Sequence, residues 1–164
     1  VSLYGGFAGT EDALDERAWG KYETILSGDL QKDDSGNWGN RSDNALHVVT
    51  GADNARLDGF VITAGMANGS GFDDHGAGMY NDGTAGLSVA NCKFADNRAY
   101  HLGGGMYNTG GTSDITVSHC VFSGNWSEYQ DRGGGGMCNS GVGNVDVFNC
   151  VFSGNEAADR KSVV

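Results

Sequence analysis

A four-residue motif, here called the first phrase, occurs as Gly78-Met79-Tyr80-Asn81 and recurs as Gly105-Met106-Tyr107-Asn108 and Gly136-Met137-Cys138-Asn139. A second phrase follows each copy and ends in Phe-x-x-Asn, at Phe94–Asn97, Phe122–Asn125 and Phe152–Asn155. The methionines lie 27 and 31 residues apart, and the phenylalanines 28 and 30. A period near thirty, with length changes outside the fixed phrases, indicates a solenoid of stacked coils.

Apolar residues alternate within each phrase, which is typical of strands with one buried face. We therefore predict an all-β fold, a single-stranded right-handed parallel β-helix of about five coils, roughly 24 Å long at about 4.8 Å per coil. Equivalent inward side chains of successive coils should form ladders of phenylalanine (Phe94, Phe122, Phe152), methionine (Met79, Met106, Met137) and cysteine (Cys92, Cys120, Cys150).

Each second phrase ends in an asparagine, at Asn97, Asn125 and Asn155. Asparagine tolerates the left-handed backbone of a tight corner. Its amide can also donate to one neighbouring copy and accept from the other. We therefore predict corner residues that form an amide ladder, in preference to ligand contacts.

The repeat extends over nearly the whole chain and predicts one domain over residues 1–164. The segment 57–63 aligns with the later copies, and Ile62 falls at the Phe94 position. Residues 31–44 and 67–76 are predicted loop insertions, and 10–19 a short helical turn capped by Thr10. Because the chain begins within a strand-like run and ends abruptly after Val164, we expect it to be an internal part of a longer protein.

The composition and charge argue against two kinds of partner, nucleic acids and membranes. The 164 residues include 29 glycines and no proline, and the formal net charge is −11. Such a charge repels phosphate backbones and anionic lipids, so we expect no nucleic-acid partner. No apolar run approaches the roughly 18 residues of a membrane span, so we expect no membrane insertion by this segment.

The cysteines do not have the spacing of a metal motif. Stacked cysteines would lie about 4.8 Å apart, within the range of a disulfide. In a parallel ladder, however, their side chains run side by side, which favours small buried thiols over bridges.

The two phrases resemble the Gly-Gly-x-Ile and Phe-x-x-Asn repeats of the polymorphic outer-membrane proteins and related β-helix surface proteins of bacteria. The first motif is represented by Gly104-Gly105-Met106 and Gly135-Gly136-Met137, and the second by the three Phe-x-x-Asn copies. The opening Tyr4–Glu11 is similar to stretches of large secreted β-helix proteins. The resemblance implies an extracellular or outer-membrane passenger, often adhesive.

Parallel β-helices also include polysaccharide lyases and hydrolases, so a polysaccharide-binding or polysaccharide-degrading protein is the alternative function. Such enzymes need carboxylates that converge across coils, with a metal or a basic residue. The acidic residues fall at different repeat positions, as at Asp29, Asp58, Asp114 and Asp146. Asp73-Asp74-His75-Gly76 has no accompanying catalytic motif and is interpreted as a solvated loop. The pattern favours a module without catalytic residues.

One segment has the composition of a calcium loop. Asp33, Asp34 and Asn37 offer oxygen ligands around a glycine turn, although the twelve-residue EF-hand pattern is not met. A polar turn explains the same residues, and no other cofactor is indicated. The four histidines share no ligand spacing, and His119 replaces Asn91 and Asn149 at a bend, which indicates a corner role.

Aromatic residues stand among polar ones outside the repeat, at Trp38, Phe72, Trp126 and Tyr129. If exposed, they could stack on sugar rings or contact a host or neighbouring surface protein; otherwise they cover the flank of the helix. Because neither end of the predicted helix carries an obvious polar cap, we also expect end-to-end self-association.

Overall fold

The described part of the chain is a parallel β-solenoid with four sheets. The structure is a computed structural model that describes residues 1–111, 114–128 and 133–158. In strand order, sheet I contains β1 (Ser2–Tyr4), β4 (Arg56–Asp58), β8 (Ser88–Ala90), β12 (Ile115–Ser118) and β16 (Val145–Phe148). Sheet II contains β2 (Thr24–Ser27), β5 (Phe60–Thr63), β9 (Lys93–Ala95), β13 (Val121–Ser123) and β17 (Val151–Ser153).

The other two sheets complete each coil. Sheet III contains β6 (Met66–Ala67), β10 (Arg98–Ala99), β14 (Trp126–Ser127) and β18 (Glu156–Ala157). Sheet IV contains β3 (Val49–Thr50), β7 (Met79–Asp82), β11 (Met106–Thr109) and β15 (Met137–Ser140). Every pairing joins one coil to the next and is parallel, as between β7 and β11 and between β9 and β13. The predicted all-β solenoid is confirmed.

The coil count differs slightly from the predicted five. Three coils of the described chain have a strand in all four sheets: β4–β7, β8–β11 and β12–β15. The first coil has β1, β2 and β3, and the last has β16, β17 and β18. The solenoid therefore has about three full turns between two incomplete ones.

Equal residues meet in register inside the solenoid. The Phe94 and Phe122 rings stack with centroids 4.7 Å apart and planes 3° apart, and Phe122 stacks on Phe152 at 4.7 Å and 4°. Met79, Met106 and Met137 are direct cross-strand partners. Because a parallel ladder puts the same position of successive coils side by side, the sequence repeat becomes a row of identical contacts.

Burial falls off toward the last coil. The Phe94 and Phe122 side chains are fully buried, whereas Phe152 is 49% exposed. Val117 is fully buried and its partner Val147 is 40% exposed. A ladder side chain is thus covered only where a described coil lies on each side of it.

The cysteines form a row of thiols beside this core. Each of the three thiols, of Cys92, Cys120 and Cys150, lies nearest to the carbonyl two residues earlier in its own coil, at 3.1–3.4 Å, and is 3.6–3.7 Å from a carbonyl of the preceding coil. The thiols are therefore satisfied by backbone oxygens and are not joined in disulfides.

Two corners of each coil use left-handed backbone. The first is at Asn91, His119 and Asn149, with φ between 52° and 55°, which agrees with the predicted corner role of His119. The second is at Asp96 (φ 54°), Gly124 (φ 63°) and Gly154 (φ 60°). It precedes Asn97, Asn125 and Asn155 by one residue, so these asparagines follow the left-handed corner and do not adopt it. Their amides are instead committed to hydrogen bonds.

Two amide ladders run through the solenoid. Asn97 Nδ2 donates to Asn125 Oδ1 (3.0 Å), and Asn125 Nδ2 donates to Asn155 Oδ1 (2.8 Å). Each of these amides also donates to a backbone carbonyl of the preceding coil, at Ile62, Phe94 and Phe122. A second ladder in sheet IV joins Asn81 to Asn108 (2.6 Å) and Asn108 to Asn139 (2.7 Å). Buried amides are tolerated here because successive copies bond to one another; Asn81 Oδ1, at the start of the second ladder, is the carbonyl oxygen left without a described partner.

The first connection, residues 5–23, is fastened by a buried carboxylate. Asp58 is fully buried and accepts from Arg17 Nη2 (2.5 Å), Arg56 Nη2 (2.5 Å) and Asn91 Nδ2 (2.9 Å). Burial opposes its ionisation, but these hydrogen bonds outweigh burial and hold the pKa of Asp58 below its ordinary value. The predicted helical turn is a 3₁₀-helix at Leu14–Glu16 whose N-cap is Ala13, not Thr10.

The remaining helix is also short. It is a 3₁₀-helix at Gly71–Asp74, inside the second predicted insertion. That insertion begins after Ala67, which belongs to β6. Among the described residues, no helix has the length and apolar character needed to cross a membrane.

Candidate functional site

The longer connections of the complete coils leave the solenoid at one corner. Residues 68–78 and 100–105 join sheet III to sheet IV in two successive coils; of the next such connection, between β14 and β15, the structure describes residue 128 and residues 133–136. The turns between the other sheets are shorter, and a single residue, Gly59, separates β4 from β5. Insertions at this corner leave the strand ladders undisturbed, which is where solenoids commonly carry variable loops. We call residues 68–78 and 100–105 the loop corner.

The two segments of the loop corner are bonded to each other through their backbones. His101 N–H donates to the Asp74 carbonyl (2.8 Å), and Gly76 N–H donates to the Leu102 carbonyl (2.9 Å). Gly76 adopts φ 59°, and a Cβ there would lie 2.7 Å from the Met79 carbonyl. The corner is thus a fixed extension of the parallel ladder.

This registration brings two histidines and a carboxylate together. His101 Nδ1 lies 2.9 Å from His75 Nε2. Asp74 Oδ1 forms a close ion-pair contact with His75 Nδ1 and lies 3.9 Å from His101 Nδ1. One ligand atom of each residue lies within 4.8 Å of the others. We call Asp74, His75 and His101 the histidine cluster.

Burial sets the charge state of His75, whose exposure is only 7%. Desolvation lowers the pKa of His75, and the neighbouring Asp74 carboxylate offsets this only in part. Because the ordinary histidine pKa is about 6.5, His75 is neutral at pH 7. Asp74 favours the proton on Nδ1, which leaves the Nε2 lone pair facing His101.

Aromatic rings surround the cluster. The His75 and His101 rings meet edge to face at 4.6 Å, and Tyr107 lies 4.6 Å from His75 on another side. Tyr80 stacks on Tyr107 at 6.0 Å. Phe72, 60% exposed, lies 6.1 Å from His75 and 6.3 Å from Tyr80. The loop corner therefore combines a partly buried polar cluster with an exposed aromatic residue.

The four predicted binding aromatics do not form one site. Phe72 belongs to the loop corner, whereas Trp38 is half-buried against the guanidinium groups of Arg41 (4.4 Å) and Arg98 (5.6 Å). Trp126 is not a loop residue: it lies in β14 and pairs with Arg98 of β10. Tyr129 lies outside the described residues. Trp38 thus packs against arginine side chains, whereas Phe72 is an exposed aromatic, and binding by these residues stays a prediction.

The three residues predicted to bind calcium make different contacts in the structure. Asp33 joins Asp29 and Asp43 in an acidic cluster whose oxygens lie within 4.8 Å of one another. Asp34 instead faces Arg41 at 3.3 Å and accepts from Asn44 (3.1 Å). Asn37 lines an adjoining surface cavity with Asp34. Calcium at Asp33, Asp34 and Asn37 stays a prediction, and Asp33 is the member of that set that meets other carboxylates.

The histidine cluster was missed by the sequence analysis, which interpreted residues 73–76 as a solvated loop. His75 and His101 are 26 residues apart, almost the 27-residue interval between Met79 and Met106. That near-equality was the available signal. The short spacings of known metal motifs do not contain this pair, because its interval is that of the repeat.

Comparison of the chain with models of protein families, with curated proteins and with solved structures finds no match.

Proposed function

We propose that this chain is a non-catalytic module of a bacterial secreted or cell-surface protein, a stalk or adhesin-like passenger that presents loops on a β-helix. The observation that supports this proposal is that structural residues and loop residues occupy different parts of each coil. Ladder residues are used for internal stacking and hydrogen bonding, whereas the longer connections described in the complete coils lie at the loop corner. Such a module belongs at the extracellular or outer-membrane surface.

The loop corner offers a partner an aromatic and polar surface. Phe72 is 60% exposed, Asp73 is exposed beside it, and Tyr80 is partly accessible. An exposed aromatic residue among polar groups suits the apolar face of a sugar or an anchor pocket on a protein. The partner we propose is therefore a carbohydrate or a protein of a host or neighbouring cell surface.

Binding of the whole chain to a carbohydrate array and to intact cells would test this proposal. We expect saturable binding that Phe72→Ala weakens at least about tenfold, as for an interface anchor. Phe7→Ala is the matched control, because Phe7 is 42% exposed on the first connection. Equal loss in both variants, or no binding by the parent chain, would contradict the proposal.

A polysaccharide-binding or polysaccharide-degrading protein is the second candidate. The observation that favours it is the Asp74–His75 pair, a neutral imidazole held by a carboxylate within 6.1 Å of the exposed Phe72 ring. Such a pair can exchange protons with a substrate. Incubation with acidic and neutral polysaccharides separates the candidates: new reducing ends or unsaturated products that disappear in Asp74→Asn would replace the first proposal with this one.

Self-association through the ends is also part of our proposal. Apolar residues are exposed in the last coil, where Phe148 is 47%, Val151 55% and Phe152 49% exposed, and in the first, where Ile25 is 56% exposed. Open strand edges and apolar ends favour further stacking. We expect sedimentation to show concentration-dependent oligomers that Val147→Lys, in the inward valine row of the last coil, reduces. An unchanged distribution in that variant would count against association through this end.

A further inference from the structure

We propose that the histidine cluster binds a divalent transition-metal ion of the zinc class, with His75 Nε2 and His101 Nδ1 as ligands and Asp74 as the carboxylate that positions His75. This inference does not depend on the surface-module proposal, because it rests on the side chains of the loop corner alone.

The spacing of the nitrogens is close to that of a metal site. Zinc binds imidazole nitrogen at about 2.0–2.1 Å, so two tetrahedral ligands lie about 3.4 Å apart. The observed separation of His75 Nε2 and His101 Nδ1 is 2.9 Å. Small changes in the two side-chain torsions would open this gap by the few tenths of an ångström that the ion requires.

The carboxylate is placed where a metal-binding histidine usually has one. Histidine ligands commonly donate their second ring nitrogen to a carboxylate, which fixes the tautomer and the ring orientation. Asp74 Oδ1 contacts Nδ1 of His75, the nitrogen opposite the one that faces His101. The proton on Nδ1 is thereby held by Asp74, and the lone pair on Nε2 is directed into the gap between the rings.

The ligands are positioned by the ladder, not by loose loops. The His101 N–H bond to the Asp74 carbonyl fixes the two segments in register, and the His101 carbonyl accepts from Ser127 Oγ of β14. The Tyr107 ring, 4.6 Å away, packs beside His75. A site of two imidazoles needs this support, because a small displacement of either ligand would lose the ion.

Without metal, the same groups can share protons in one tautomeric arrangement. With the proton on Nδ1 of each ring, His75 would donate to Asp74, which it contacts closely, and His101 would donate to His75 Nε2 across 2.9 Å. Metal binding requires a lone pair on His101 Nδ1, so the His101 proton moves to Nε2 while Asp74 and His75 keep their protonation. The ion would then cross-link residues 68–78 to residues 100–105 and stiffen the surface that carries Phe72.

The test is zinc titration of the whole chain by calorimetry, with cobalt absorption as a ligand-sensitive signal. We expect one saturable site, cobalt d–d bands typical of nitrogen ligands, and at least about tenfold weaker binding in His101→Ala. Asp74→Asn should weaken binding about 10–100-fold, as for other residues that position a ligand.

The matched control is His119→Asn. It removes an exposed histidine but keeps the residue type found at the equivalent corners Asn91 and Asn149, so the backbone with φ 55° is retained. Circular dichroism checks that each variant keeps its β structure.

Three results would overturn the site: no saturable zinc binding by the parent chain, equal affinity in His101→Ala, or equal loss in His119→Asn. Zinc binding that survives in the histidine variants but competes with calcium would assign the ion to the acidic cluster of Asp29, Asp33 and Asp43. Loss of surface binding in Phe72→Ala with zinc binding intact would separate this site from the proposed function.

Discussion

The phenylalanine column and the histidine cluster are both made by stacking one coil on the next, yet they differ in kind. The column places identical rings 4.7 Å apart in the core, where Phe94 and Phe122 are fully buried. The cluster joins unlike residues at the corner, where His101 is only partly buried. Parallel stacking thus has two results. In the core it packs identical apolar residues, which hold the coils together, and at the corner it brings unlike polar residues into contact.

The largest expected effect is on the column. Phe122→Ala removes a fully buried ring that stacks on both neighbours, so we expect a loss of about 3–5 kcal/mol in the free energy of unfolding. Urea unfolding of the variant and of Phe152→Ala measures this, since Phe152 is 49% exposed. Equal losses in the two variants would mean that coverage by a coil on each side does not control the contribution of the column.

The next effect concerns Asp58 and depends on pH. The folded pKa of Asp58 lies below its unfolded value of about 3.9, so its stabilisation is present above about pH 4 and is lost as the pH falls through the folded pKa. We expect Asp58→Asn to cost about 1.5–3 kcal/mol at pH 7, because charged hydrogen bonds to Arg17 and Arg56 are lost.

Unfolding measured from pH 2 to pH 7 checks this linkage. The difference between the parent chain and Asp58→Asn should shrink as the pH falls below 4. Asp15→Asn, which alters an exposed carboxylate on the same connection, serves as the control. A difference independent of pH would show that the carboxylate charge is not what fastens the first connection.

A smaller loss is expected from the amide ladder. Asn125→Ala removes the side-chain donor to the Phe94 carbonyl and one of the two acceptors of the Asn97 amide, at a cost of about 1–3 kcal/mol. The matched change is Asn68→Ala, at an exposed residue of the loop corner. If thermal unfolding shows equal losses of stability in Asn68→Ala and Asn125→Ala, the amide ladder does not stabilise the solenoid.

The smallest effect is expected at the loop corner, which sharpens the comparison with the core. Without added metal, His101→Ala should change the free energy of unfolding by less than about 1 kcal/mol, because His101 is partly exposed and outside the apolar core. Chemical unfolding of the preparation used for zinc titration measures this change in the free energy of unfolding. A loss comparable to that of Phe122→Ala would make the cluster a structural element of the solenoid.

The ladders were predictable because a parallel solenoid converts a sequence period directly into contact. Met79, Met106 and Met137 share one repeat position, so stacking alone makes them neighbours. The left-handed corner at Asn91 and His119 follows from the same alignment. The left-handed residue of the second corner was predicted wrongly. Asp96, not Asn97, has the left-handed backbone, and the Asn97 amide is used for hydrogen bonding.

The site was less accessible to sequence reasoning. Trp126 looked like a loop residue, since its strand is only two residues long and next to a variable segment. Its partner in register, Arg98, follows Asn97 as Trp126 follows Asn125, so the repeat already contained this pairing although the segment was interpreted as a loop. Phe72 remains as an exposed aromatic because its insertion leaves the ladder, whereas Trp38 is covered by arginine side chains.

The amino-acid sequence by itself determined the solenoid, its inward ladders and most of its corners, because these depend on residues that recur at a fixed period. Only the tertiary structure decided that Asp74, His75 and His101 meet, and that Asp58 is neutralised by Arg17 from a distant connection. Those contacts depend on how insertions of unequal length fold back over neighbouring coils. The interval between His75 and His101 places them on neighbouring coils, but whether they touch is set by backbone hydrogen bonds between the loops and by the packing beneath them.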